Sequence, residues 1–143
     1  MREPRRPGPR IMEQFLGKPF AHNGGSGKPG YDCMGLIYAY LIEMGIPDVP
    51  TSFQGITLDN YTDFYLADRP RADAVLLDLF ATLGAPVEAN RPLAGDLCIV
   101  RKGDGTHFPC IYAGNRNIMA AIEGVGVRVV QVGDLEIVQV RRL

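Results

Sequence analysis

Two hydrophobic rhythms divide the 143-residue chain. In the first half, apolar side chains recur every three to four positions, which is the spacing of one helix face. Ile11, Met12, Phe15 and Leu16 form one such group, stopped by Gly17 and Pro19. Asp32 offers an N-cap to a second group, which runs through CMGLIYAYLIEM to Gly45, with Pro47 just beyond. That segment is apolar almost all round, so it predicts a buried central helix. A third helix fits 70–83, with Pro70 at its start and Leu76, Leu77, Phe80 and Leu83 on one face. Residues 21–31, AHNGGSGKPGY, are loop by composition, and 47–69 predict a long irregular connection.

The second half changes to strand-like runs at 96–101, 107–113, 117–122, 125–132 and 136–142. Each is short, rich in Val, Ile or Tyr, and bounded by Gly, Asp or Asn. The short connections suit antiparallel neighbours, because a parallel pair needs a long crossover. Helices first and strands after make an α+β fold, with helices on one face of a five-stranded meander. The length suits one domain, placed at 11–143 behind a flexible basic arm at 1–10.

Composition removes several classes of function. Apolar residues make up 46% and charged residues 22%, which excludes a disordered chain, a coiled coil and a collagen-like repeat. A formal charge of −1 provides no general field for nucleic acid. No apolar run reaches the roughly 18 residues of a membrane helix. The arm MREPRRPGPR is not followed by the apolar stretch of a secretory signal, so the expected location is cytoplasmic. Three Cys without a CxxC fit neither a disulfide framework nor a zinc ribbon, and no metal or cofactor is expected. Cys98 and Cys110 lie in apolar strands and are expected to be packing residues.

Asp32-Cys33 carries the most chemistry. A thiol in a helix's first turn feels the positive end of the dipole and unpaired N–H groups, which favour the thiolate. The same N–H groups can hold an oxyanion, and the glycine-rich loop before Cys33 lets a ligand backbone approach. A catalytic Cys needs an imidazole nearby in space, and the chain offers His22 and His107.

GKPFAHNGGSGKPGYDCMGL resembles the NlpC/P60 cysteine peptidase signature, in which an aromatic and a Gly-Gly loop precede Asp-Cys-x-Gly-Leu. AGDLCIVR resembles that family's Pro-Gly-Asp-Leu strand, and THFPCIYAGNRNIMAA its His-x-Gly-Ile-Tyr-x-Gly strand with the strand after it. VQVRRL resembles the closing strand, so the likeness covers 11–143 with its pieces in family order. The resemblance implies a papain-like fold, with the Cys helix packed on a five-stranded antiparallel sheet. It implies Cys33 as nucleophile, His107 as general base, and Phe20, His22 and Asp32 lining the substrate cleft. It also implies hydrolysis of peptidoglycan stem peptides, of the γ-D-glutamyl–diaminopimelate type, through a thioester that water resolves.

Four departures stand against that pattern. Matching Tyr112 and Gly114 to the family's Tyr and Gly places Ala120 where a polar residue orients the imidazole. Without a one-residue insertion, the position is Met119. The extra residue beside Pro109 predicts a bulge, since proline cannot donate to a ladder. Phe20 lacks the hydroxyl of the usual Tyr, and Met34 replaces a small residue after the Cys. The expectation is a slowed cysteine amidohydrolase whose base is His107. Its alternative is a catalytically impaired structural or assembly module, for example of a phage tail. In that setting phage tail proteins are partners, and a particle carries a protein made in the cytoplasm to the wall.

Overall fold

The computed structural model describes residues 7–25, 28–46, 52–57 and 60–143. Most of the basic arm, residues 1–6, lies outside that set, and its last four residues already belong to α1, Pro7–Met12. This helix starts earlier than the predicted group at 11–16. Prolines are tolerated in a first turn because its N–H groups have no intrahelical partner anyway. Beyond Met12 the chain continues in tight turns, with Gln14 N–H on Ile11 O and Phe15 N–H on Met12 O, both at 3.1 Å. Met12 and Phe15 still reach the core.

The central helix α2, Cys33–Glu43, forms where its cap and periodicity place it. Asp32 caps it by accepting from Gly35 N–H at 2.6 Å. Gly45, at φ +72°, ends it in the left-handed conformation that favours glycine. Leu36, Ile37, Tyr40 and Leu41 are buried, as a central helix requires. Tyr40 Oη donates to Gly95 O at 2.8 Å and ties the helix to the sheet.

The connection predicted to be irregular contains a hairpin, β1 Ser52–Phe53 with β2 Ile56–Thr57, and the helix α3, Tyr61–Ala67. Residues 47–51, 58 and 59 of it lie outside the described set. α4, Arg69–Ala81, matches the third predicted helix, starting on an Asp68 cap with Pro70 in its first turn.

The strands are β3 Ala85–Val87, β4 Leu97–Arg101, β5 His107–Gly114, β6 Asn117–Ile122, β7 Gly126–Gln131 and β8 Glu136–Arg142. They form an antiparallel sheet ordered β3-β8-β4-β5-β6-β7. The five predicted strands are all present, and β3 adds a sixth at one edge. β4 to β7 are a meander, but β8 returns across it to lie between β3 and β4. Arg142 secures that return by a two-pronged ion pair to buried Asp96, at 3.0 and 2.8 Å.

Alternation along the strands divides the core in two. Leu97, Ile99, Ile111, Met119 and Ala121 face the helices. Cys98, Val100, Cys110, Tyr112, Ile118 and Ala120 pack in a second cluster. Cys98 and Cys110 are fully buried and stand opposite each other across β4 and β5.

The expected bulge beside Pro109 is not there. β4 and β5 run in unbroken register from Leu97↔Ile111 to Arg101↔His107, with Ile99 opposite Pro109. The irregularity of β5 lies on its other side, between Tyr112 and Gly114 in the pairing with β6. Pro109 has no N–H to give β6, and the pairing of β5 with β6 stops at Ile111↔Met119, short of it.

Candidate active site

The site is built around the start of α2. Gly35 faces the loop before the helix so closely that a Cβ there would lie 1.8 Å from Gly24 O. The helix can therefore present its first turn directly against the glycine-rich loop. Asp32 is buried, with one carboxylate oxygen on Gly35 N–H and the other accepting from Thr62 Oγ1 at 2.8 Å. Burial pushes its carboxyl pKa up, against the lowering effect of those hydrogen bonds. Asn23 extends the clamp, its Oδ1 accepting from Thr62 N–H at 3.0 Å and its Nδ2 donating to Asp63 at 2.9 Å. His22 Nε2 lies 2.5 Å from the other Asp63 oxygen, with both side chains largely exposed.

Cys33 opens α2 and lines a cleft of about 720 Å³. That volume lies within the ~300–1,000 Å³ usual for small-molecule and short-peptide sites. Phe20, His22, Asp32, Tyr61 and Thr62 line it on the helix side. Lys102, Thr106, Phe108, Ala120, Ile122 and Glu123 complete the lining from the strands and their connections. Every residue expected to bind substrate (Phe20, His22 and Asp32) is on this cleft.

The thiol does not meet the expectation of an activated thiolate. Burial, followed by the adjoining Asp32 charge, pushes its pKa up to about 12, and Lys102 offsets only part of this. The favourable field of the helix start is outweighed by the loss of water. Cys33 Sγ donates to the carbonyl oxygen of Ala121 at 3.4 Å. Pro109, which the β5/β6 register would set opposite Ala121, has no N–H to offer that carbonyl.

His107 is placed elsewhere. Its backbone N–H donates to Asp73 Oδ1 of α4 at 3.2 Å, and its Nδ1 lies 3.2 Å from Asp73 Oδ2, off the line of a hydrogen bond. The ring is largely buried there and is not among the residues that line the cleft. Its neighbour Phe108 does line the cleft, because successive strand residues face opposite ways. Counting back from Tyr112 by the spacing of His-x-Gly-Ile-Tyr reaches Phe108, not His107. The unbroken β4/β5 register makes that count the structural one. A single extra residue between a histidine and its tyrosine turns the ring to the other face.

Of the two candidate orienting positions, Ala120 lines the cleft, whereas Met119 is buried toward the helices. Glu123 stands on the rim, and Asn117 lies at the far end of β6, donating to Gly114 O and Asn115 O at 3.2 Å. Tyr61 was not singled out by the sequence. It is buried beside Cys33 and Asp32, and desolvation, followed by those neighbours, holds its hydroxyl well above the ordinary phenol range. Its signal was the Tyr61, Phe64, Tyr65 spacing of a helix face inside a stretch otherwise rich in turn residues.

Comparison with known proteins places the architecture. The model of the NlpC/P60 family matches residues 17–140. No curated protein matches the chain. Among solved structures, the NlpC/p60 domain of the peptidoglycan hydrolase SagA is 18% identical, with a TM-score of 0.60 over 94% of each chain. NlpC2 from Trichomonas vaginalis is 18% identical, with a TM-score of 0.63 over 94% of this chain and 45% of its own. An NlpC/P60 family protein from Bacillus cereus is 20% identical, with a TM-score of 0.59 over 92% of this chain and 37% of its own. The chain thus spans less than half the length of two of these three.

Proposed function

Because the chain belongs to the NlpC/P60 family, whose members are generally peptidoglycan hydrolases of the cysteine-peptidase type, we propose that it is a catalytically impaired member whose cleft holds a peptide ligand without peptidase turnover. The observation that carries this reading is the strand lining of the cleft that holds Cys33, with Phe108 and Ala120 in it. The family spacing puts its base at Phe108 and its orienting residue at Ala120, and neither side chain can accept a proton. A thiol raised to about 12 is ionised to roughly one part in 10⁵ at pH 7. Without a base to take its proton, such a thiol attacks an amide poorly.

Hydrolysis is the competing reading, and it has an observation of its own. Cys33 faces the cleft at the start of α2, where first-turn N–H groups can hold an oxyanion, and Lys102 lies in the field of the thiol. For it to operate, His107 or His22 would have to bring the ring nitrogen not facing its carboxylate to the Cys33 thiol.

Purified protein incubated with a γ-D-glutamyl–diaminopimelate peptide and with intact peptidoglycan decides between them, with Cys33→Ala as blank. Release equal to the blank on both substrates is expected. Cleavage above the blank on either would overturn the proposal and restore the hydrolase. The phage-tail setting and the cytoplasmic site of synthesis belong to the same proposal. Genes for tail proteins beside this one would support that setting, and their absence would remove it.

A further inference from the structure

The inner corner of the cleft is the part of the site that the family pattern does not account for. There Phe108 of β5 meets Ala120 and Ile122 of β6, Val130 of β7 and Leu135. Apolar surface thus fills the place where the pattern sets two polar side chains. Two cations stand beside it. The Lys102 ammonium lies 5.6 Å from the centre of the Phe108 ring, and the Arg69 guanidinium 5.4 Å from that of Tyr65. Among the described residues neither cation is in an ion pair. Two carboxylates share the rim. Asp104 accepts from Thr106 Oγ1 at 2.6 Å and from Thr106 N–H at 2.9 Å. Those bonds first, then Lys102 and Arg69, hold its carboxyl below the usual range. Glu123 is exposed on the turn after β6. Asp104 is thus already engaged by Thr106, and the N–H donors of Lys102 and Arg69, which are in no ion pair among the described residues, can meet a carboxylate that a ligand brings.

We propose that the cleft takes a ligand in which a branched or aromatic apolar group adjoins a carboxylate, the apolar group entering the Phe108–Ala120 corner and the carboxylate meeting Lys102 and Arg69. The proposal rests on the reading that the cleft holds a ligand without cleaving it, and it adds the ligand's chemical class. A polar wall peptide fits this corner worse, because its amide and carboxyl groups would lose water there without a partner. Burying a Leu- or Phe-sized side chain is worth roughly 10- to 100-fold in affinity. A charge-assisted contact to the carboxylate is worth a factor of the same order.

The test is an NMR titration of the whole chain carrying Cys33→Ala, so that turnover cannot consume the probe. Three probes are compared: acetyl-Ala-Phe with a free carboxylate, its C-terminal amide, and acetyl-Ala-Ser with a free carboxylate. The first is expected to bind at least about tenfold tighter than either of the others. Lys102→Gln with Arg69→Gln should abolish the preference over the amide alone. Ala120→Asp should abolish the preference over the serine peptide alone, and Leu135→Gln repeats that test should A120D not fold. Equal binding of the three probes, no binding at millimolar concentration, or preferences that survive their matching variants would each overturn the proposal. Wall-peptide cleavage by the unsubstituted protein would sink the impaired-module reading instead, and preferences measured on C33A would still stand.

Discussion

Asp32 and Cys33 owe their positions to the start of a helix, whereas Phe108 and His107 owe theirs to which side of a strand each number falls on. The helix start is specified several times over. A cap, a glycine that admits the loop, and a buried apolar circumference all demand the same register. The strand wall is specified once, by parity, and one extra residue exchanges its two faces. The first region is therefore held by several constraints at once, while the side chains the second presents turn on a single residue's parity. Chemistry that depends on a side chain's parity is easier to lose than chemistry that depends on a backbone terminus.

The largest effect that sharpens this contrast is expected on the helix side. Gly35→Ala would set a Cβ 1.8 Å from Gly24 O and 2.9 Å from Gly25 Cα, against backbone that cannot rotate away. Alanine gains about 1 kcal/mol in helix propensity, but the clash should outweigh it and destabilise the protein by about 3 kcal/mol or more. Gly103→Ala, on the turn leading into β5, meets nothing within 4 Å and should change stability by less than about 0.5 kcal/mol. Urea denaturation of both variants reads the difference directly. Equal stability would mean that the loop does not depend on a glycine at 35, and the nucleophile side would be no better specified than the strand wall.

That contrast also explains what the sequence made legible. α2 could be read because cap, periodicity and terminating glycine agree, and β4 to β8 because each run is short, apolar-rich and bounded by turn residues. β3 could not be read, since Ala85-Pro86-Val87 is three residues around a proline and is steadied only by β8 from the far end of the chain. α1 was missed because prolines in a first turn look like breakers. The strand wall reads in the sequence as bulged at Pro109, with His107 as base, and the structure gives an unbroken strand there instead. Tyr112 and His107 fix the count between them, but only the pairing of β4 with β5 decides where the extra residue goes.

Restoring an imidazole should give the next largest effect. Phe108→His with Ala120→Asn puts a base on the cleft face and a partner beside it, while Cys33 stays in place. At present the thiolate fraction should rise about tenfold per pH unit through neutrality and beyond, because the folded pKa lies far above 7. Iodoacetamide labelling of the unsubstituted protein should follow that line without an inflection below pH 9. In the double variant a neighbouring imidazolium favours the thiolate, so labelling at pH 7 should rise at least about 100-fold and level off with pH. An unchanged rate would mean that position 108 does not address Cys33, and the comparison of the two walls would lose its strand half.

The smallest effects are expected from removing the histidines that are present. His22 lines the cleft but is engaged by Asp63, with both side chains largely in water, so the pair holds little energy. His107 has its ring beside Asp73, and its backbone bond to that residue does not depend on the side chain. His107→Ala should therefore cost about 1 kcal/mol of stability, through lost packing and a less well partnered Asp73. Cys33 labelling at pH 7 should change by less than about twofold in either variant, since neither ring is needed to set a pKa governed by burial. The measurement is sharp because a general base would behave otherwise: its removal from a Cys–His pair would cut labelling more than about tenfold. A drop of that size in His107→Ala would mean that the ring swings from α4 to the cleft in solution. The same drop in His22→Ala would give the role to the loop histidine. In the first case the strand wall would no longer be the side without a base; in the second the base would stand on the loop before α2.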